Sequence, residues 1–302
     1  MLTTKKTLSL TVLIGTLIAG TVVATSNAPI GPTIPPCTAR QTRIIFVNGV
    51  NNKSEFDAWA SSVGITNALQ EGGVNNFAPG YIYSGFESLT SDFLQAAVYT
   101  NLGKSTLDFI DSVNMTNMQI GMGPTAGPIG AADIPSLAQS SAAKLQAHID
   151  AVAADMRNSI SQTQHTIYVC HSRGTLVCNF AYRKLQQDKV AGLNNLGVFD
   201  IAMVDSKGPD GASHFDYITF RSDAVVAAVP GAAPANFGTY SLGDSGAKSG
   251  LAHGVNDTYL QDSYTSVLHG DIINDPLKTE IVRRIKTMKS LVEKETFPCK
   301  AA

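Results

Sequence analysis

Thirteen residues, Thr166-Ile-Tyr-Val-Cys-His-Ser-Arg-Gly-Thr-Leu-Val-Cys178, constrain the fold more than any other part of the chain. The apolar run from His165 to Cys170 has the length and β-branched character of a buried strand. Leu176, Phe180 and Leu185 then recur at helical spacing, so a helix begins near Ser172 and ends near Lys189 or Gly192. Only a sharp turn separates the two. A strand without polar alternation that passes directly into a helix belongs to a mostly parallel sheet with helices on both faces.

The same alternation continues along the chain. Arg43-Ile-Ile-Phe-Val47 reads as a buried strand closed by the turn Asn48-Gly49. Residues 54–70 have helical spacing, with Phe56, Trp59, Val63 and Leu69 near one face. A second helical stretch falls in 86–112, and the glycine- and proline-rich run Gly121–Gly130 breaks it as a loop. An alanine-rich helix is expected from Pro135 to about Ile160, and strands over Val198–Val204, Tyr217–Phe220 and Phe237–Leu242. A cationic amphipathic helix, Leu277–Val292, ends the domain. No internal repeat is visible.

The first residues read as an export signal. Lys5 and Lys6 precede Leu8–Ala24, an uncharged apolar run, and Val22 and Ala24 suit cleavage after Ala24. The expected localisation is therefore secreted or periplasmic, with no stable membrane insertion after cleavage. Residues 25–42 form a proline-rich leader and 43–302 a single domain, a size that suits one core. Without the signal, the 22 basic residues of the chain fall to 20 against 24 acidic. The lysines are scattered, so no nucleic-acid partner is expected.

Export permits disulfides. Cys37 and Cys299 flank nearly the whole mature chain and are expected to be joined, closing a loop worth about 3–5 kcal/mol. For Cys170 and Cys178, buried free thiols are as good a reading as a bond. No Cys/His spacing suggests zinc, so no metal and no cofactor are expected. Gly103-Lys-Ser-Thr106 copies the tail of a phosphate-binding loop, but Val98 stands where its first glycine is required. Asn52, Asn114 and Asn256 lie in glycosylation sequons.

A serine on a sharp strand-to-helix turn projects its hydroxyl, and small neighbours two residues away on either side avoid clashes. Cys170-His-Ser-Arg-Gly174 in this setting resembles the nucleophile elbow, G-x-S-x-G, of the α/β-hydrolase superfamily, in its lipase-like form with His before Ser. Cys170 replaces the first glycine. The resemblance spans about Arg43 to Val292 and implies the α/β-hydrolase fold and a Ser-His-Asp triad. Its order is Ser, acid, His. Ser172 is then the nucleophile. Asp223, in the Asp-x-Val-Val turn after strand 217–220, is the favoured acid, with Asp205 as the alternative. His253, in the loop after the last strand and followed by Tyr259-Leu260, is the favoured base, with His269 as the alternative. His171 is expected to diverge from Ser172 and serve structure.

The resemblance also implies an oxyanion hole made by the N–H groups of Arg173 and Val50, the latter after the Asn48-Gly49 turn. Residues 72–135 take the place of an insert or lid-like segment, whose Phe77, Tyr81, Tyr83, Phe86 and Phe93 suit acyl-chain or aromatic esters, a small-molecule or lipid substrate, with packed core as the commoner fate of such residues. The expected activity is hydrolysis of carboxylic esters through an acyl-enzyme. The same triad also serves acyltransferases and thioesterases, and a non-catalytic binding protein can retain the fold.

Overall fold

The computed structural model describes residues 40–49, 54–85, 134–221, 223–229, 231–238, 253–261, 265–268, 271–274 and 276–297. The stretches read from sequence as a signal (1–24), most of a leader (25–39) and a helix within 86–112 lie outside them, as do Cys37, Cys299, Val50, His269, the Gly121–Gly130 run, the Gly103-Lys-Ser-Thr106 run and the sequons at Asn52 and Asn114.

Five parallel strands form the central sheet: β1 (Arg40–Val47), β2 (Phe77–Ile82), β3 (Gln164–His171), β4 (Leu196–Ile201) and β5 (Phe215–Ile218), in the order β2-β1-β3-β4-β5. Side chains alternate between two apolar layers. Ile44, Phe46, Ile167, Val169, Phe199 and Ile201 face helices α1 (Glu55–Glu71) and, last in the chain, α5 (Pro276–Val292). Ile45, Val47, Tyr168, Cys170, Leu196 and Val198 face α2 (Ile134–Ser161) and α3 (Arg173–Gln187). The central strands are buried on both sides, which is why they read as continuous apolar runs. Short elements complete the description: α4 (Ala224–Ala228), a π-helical turn (Val255–Tyr259), and the antiparallel pair β6 (Thr265–Leu268) and β7 (Asp271–Asn274). Among the described residues no helix is long and apolar enough to cross a membrane.

Several expectations are corrected. The first strand begins at Arg40 rather than after a leader ending at residue 42, because the Arg40 N–H bonds the Thr163 carbonyl at 3.2 Å. Residues 77–82, assigned to the insert, form an edge strand of the sheet. Pro79 and Gly80 hid it; both are tolerated at an edge, where one side of the strand needs no partner. The face of α1 that packs on the sheet is Ala58, Ile65, Ala68 and Leu69, whereas Phe56 and Trp59 are 68% and 46% exposed. β4 stops at Ile201 because Ala202 turns to φ 54°, after which the Thr219 and Thr175 hydroxyls accept from the Met203 and Val204 N–H groups. Of the strand expected at 237–242, Phe237 makes a single parallel bridge to Phe220, and 239–242 lie outside the described residues.

β1 and β3 are neighbours in the sheet, but their following strands lie on opposite sides of the pair. This is the topological switch point, where ligand sites of open parallel sheets form beyond the carboxyl ends of the strands. Asn48-Gly49 ends β1 and Ser172 ends β3.

Candidate active site

Ser172 sits between β3 and α3 with φ 53° and ψ −123°, a left-handed conformation that a residue with a Cβ adopts only when its surroundings enforce it. Several contacts do so. The Ser172 N–H donates to the Ile201 carbonyl at 2.9 Å, and its own carbonyl accepts from Thr175 N–H at 2.9 Å. Glycines permit the close packing on β1. A Cβ on Gly174 would stand 2.5 Å from the Val47 carbonyl oxygen, and one on Gly49 would stand 2.5 Å from Ser172 Cβ. Cys170, two residues before Ser172, has its sulfur turned back into the α3 layer and bonded to Cys178. The bond settles the open reading of these two cysteines.

The side chains expected from sequence meet. Ser172 Oγ lies 2.8 Å from His253 Nε2, and His253 Nδ1 lies 2.9 and 2.8 Å from the two carboxylate oxygens of Asp223. A carboxylate only accepts, so Nδ1 carries the proton, and Nε2 presents its lone pair to the serine hydroxyl. Asp223 is held by its own backbone role. As the N-cap of α4 its Oδ1 accepts from Val225 and Val226 N–H at 3.1 and 2.9 Å. Tyr259 adds a further donor, its hydroxyl reaching Asp223 Oδ2 at 2.7 Å while accepting from Phe220 N–H at 3.3 Å. Burial first, and then the Asp223 charge, push the Tyr259 hydroxyl well above the ordinary tyrosine value.

His253 lies just before the π-helical turn and Tyr259 ends it, so one short segment delivers both the imidazole and the tyrosine to the same carboxylate. Ser172, Asp223 and Tyr259 are all buried, and His253 is 5% exposed. The serine is thus enclosed by its neighbours. Inside such a site charges are weakly screened.

Asp205 goes elsewhere. It ion-pairs with Arg183 beside the buried pair Asn179–Asp200, where Asn179 Nδ2 donates to Asp200 at 2.8 Å. Burial raises the pKa of both carboxyls, that of Asp200 strongly. His269 and Val50 lie outside the described residues. Arg173 opens α3, so its N–H belongs to the positively polarised first turn. Its buried guanidinium donates to Ser84 Oγ at 2.9 Å and to the Ser84 and Gly85 carbonyls. Ser84 in turn braces the end of β1, donating its N–H to Asn48 Oδ1 at 2.6 Å and its hydroxyl to the Asn48 carbonyl at 3.2 Å. Asn48 is therefore a buried strut.

Two features escaped the sequence. Tyr259 belongs to the His253-x5-Tyr259 spacing legible in the sequence, but its reach to Asp223 depends on the wide π-helical turn. His171 packs beside the base, its ring 4.8 Å from that of His253, a contact with no signal in the sequence. Among the described residues, no group of His, Cys, Asp or Glu side chains is placed to hold a metal ion. The arrangement can remove the serine proton, accept it on a buried imidazole, and balance the resulting cation with a fixed carboxylate.

Comparison of the chain with models of protein families, with curated proteins and with solved structures finds no match.

Proposed function

We propose that this chain is a serine hydrolase that cleaves carboxylic esters through an acyl-enzyme, with an α/β-hydrolase type of fold. The carrying observation is the unbroken line Ser172 Oγ–His253 Nε2, His253 Nδ1–Asp223. In the first half-reaction Ser172 Oγ attacks the ester carbonyl while His253 takes its proton. Asp223 and the Tyr259 hydroxyl keep the imidazole in the required tautomer. The tetrahedral oxyanion forms beside the N-terminal turn of α3, with Arg173 N–H as one donor and Val50 N–H as the other. His253 then returns the proton to the leaving alcohol, and water attacks the acyl-serine by the reverse sequence.

The turn geometry at Ser172, the switch-point location and the order Ser, Asp, His support this reading. The oxidised Cys170–Cys178 pair and the apolar start of the chain support a secreted or periplasmic enzyme. The test is labelling of the intact protein with a fluorophosphonate, followed by peptide mapping. The label is expected on Ser172 alone, and Ser172→Ala should remove it and lower ester turnover by about 10⁴-fold or more without unfolding the protein. A label on another serine, or no reaction at all, refutes the proposal.

A further inference from the structure

His171 touches both loops that converge on Ser172. Its Nε2 lies 2.8 Å from the backbone carbonyl oxygen of His253. A carbonyl accepts only, so Nε2 carries the proton and His171 is tethered to the loop bearing the base. On the other side, a Cβ on Gly49 would fall 2.9 Å from His171 Nδ1 and 2.3 Å from the His171 carbonyl oxygen. The Asn48-Gly49 loop therefore rides directly over this residue. The rings of His171 and His253 are tilted by 41°, and the Tyr259 ring meets His171 edge-on at 6.2 Å. His171 is buried, and its Nδ1 has no hydrogen-bond partner among the described residues.

Each property of an imidazole is used here. The flat ring fills the gap between the two loops and fixes the plane against which His253 rests. The Nε2 proton satisfies a buried carbonyl, which an aromatic hydrocarbon would leave orphaned. A permanent cation would stand beside the imidazolium that forms on His253 and oppose it. Burial, and then His253, hold the His171 pKa well below the ordinary imidazole value, so the ring stays neutral while its neighbour cycles. Among the described residues, the titratable groups facing it are His253 and Tyr259, with Asp223 beyond both.

We infer that His171 is a positioning residue, a neutral wedge that sets the spacing between the base loop and the Asn48-Gly49 loop and acts on the reaction through His253. The inference rests on the ester-hydrolase reading. It is tested with His171→Phe, which keeps a ring without the donor, and His171→Gln, which keeps a donor without the ring's charge chemistry.

With p-nitrophenyl acetate, the Phe variant should lose about 10- to 100-fold in kcat with KM within about twofold, as misplacement of a reacting group by about 1 Å does. Its phosphonylation rate at Ser172 should fall in parallel, and the Gln variant should recover most of both losses. A folded Phe variant with wild-type kcat, a loss confined to KM, or a Gln variant no better than Phe overturns the inference. Should the Phe variant not fold, ¹⁵N spectra of the wild-type histidines decide. One ring, absent from the Gln variant, should be the Nε2–H tautomer and stay neutral through the ordinary imidazole titration range. A ring that protonates there, or the opposite tautomer, overturns the wedge. An unlabelled wild type overturns the hydrolase reading and the wedge together; a labelled wild type with unaffected variants overturns the wedge alone.

Discussion

Tyr259→Phe removes one oxygen atom from the centre of the molecule, and the structure sets the size of the effect. Two hydrogen bonds are lost: the 2.7 Å bond to the Asp223 carboxylate, and the 3.3 Å bond from Phe220 N–H. A bond to a charged group contributes about 1.5–3 kcal/mol. The longer second bond is weak, so about 2–3 kcal/mol of destabilisation is expected near neutral pH. For a domain of this size that is a Tm lower by about 4–8 °C.

The pH dependence carries a definite sign. Tyr259 is protonated in the folded protein well beyond the ordinary tyrosine value of 10.0, whereas the unfolded chain ionises there. Above that pH the unfolded wild type binds fewer protons than the folded one, so its stability falls as pH rises. The contribution is fully present below about pH 10 and disappears at about 1.4 kcal/mol per pH unit above it. Phe has no proton to lose, so the gap between the two proteins should close by about pH 12. Tyr168 and Tyr182 are raised in the same direction but are common to both proteins and cancel in the difference. Urea unfolding of both proteins from pH 7 to 11 measures this. Equal stability at pH 7, or a gap that stays constant above pH 10, refutes the role given to Tyr259.

His253→Ala should abolish ester turnover and phosphonate labelling together, while His269→Ala retains most of both; the reverse result in paired rate assays moves the base to His269. Replacing Cys170 and Cys178 together by Ala opens a short loop and should cost about 2–3 kcal/mol in chemical unfolding. Non-reducing peptide maps of the wild type should show the two residues linked. Asp200→Asn should stabilise the protein at pH 7. Burial raises the Asp200 pKa, so the unfolded chain releases its proton first and wild-type stability falls as pH rises past about 4. Unfolding at pH 3 should therefore find the two proteins alike, and a difference that persists there refutes this reasoning.

The parts legible in sequence are those whose physics is local. β1, β3, β4, α2, α3 and α5 declared themselves because burial on both faces, or on one helical stripe, writes a period into the chain. The trio Ser172, Asp223 and His253 was legible because each residue ends or follows such an element in a fixed order. β2 was not, since Pro79 and Gly80 carry the local signal of a turn and only the edge position excuses them. The packing face of α1 differs from the expected one because Phe56 and Trp59 are apolar yet meet each other outside the core, their rings tilted and 5.3 Å apart. Tyr259 and His171 were illegible as parts of the site because their partners, Asp223 and the His253 carbonyl, are distant in sequence.

The π-helical turn has a further consequence. His253 and Tyr259 stand at the two ends of a seven-residue segment and engage the same carboxylate. Displacement of that segment takes away both at once, so the assembly behaves as a latch with two teeth on one bar. On the ester-hydrolase reading, a perturbation that releases the segment lowers the number of competent molecules, whereas one that only shifts it lowers the rate of each. Active-site titration would separate the two, the first as a fractional burst and the second as slower labelling of every serine.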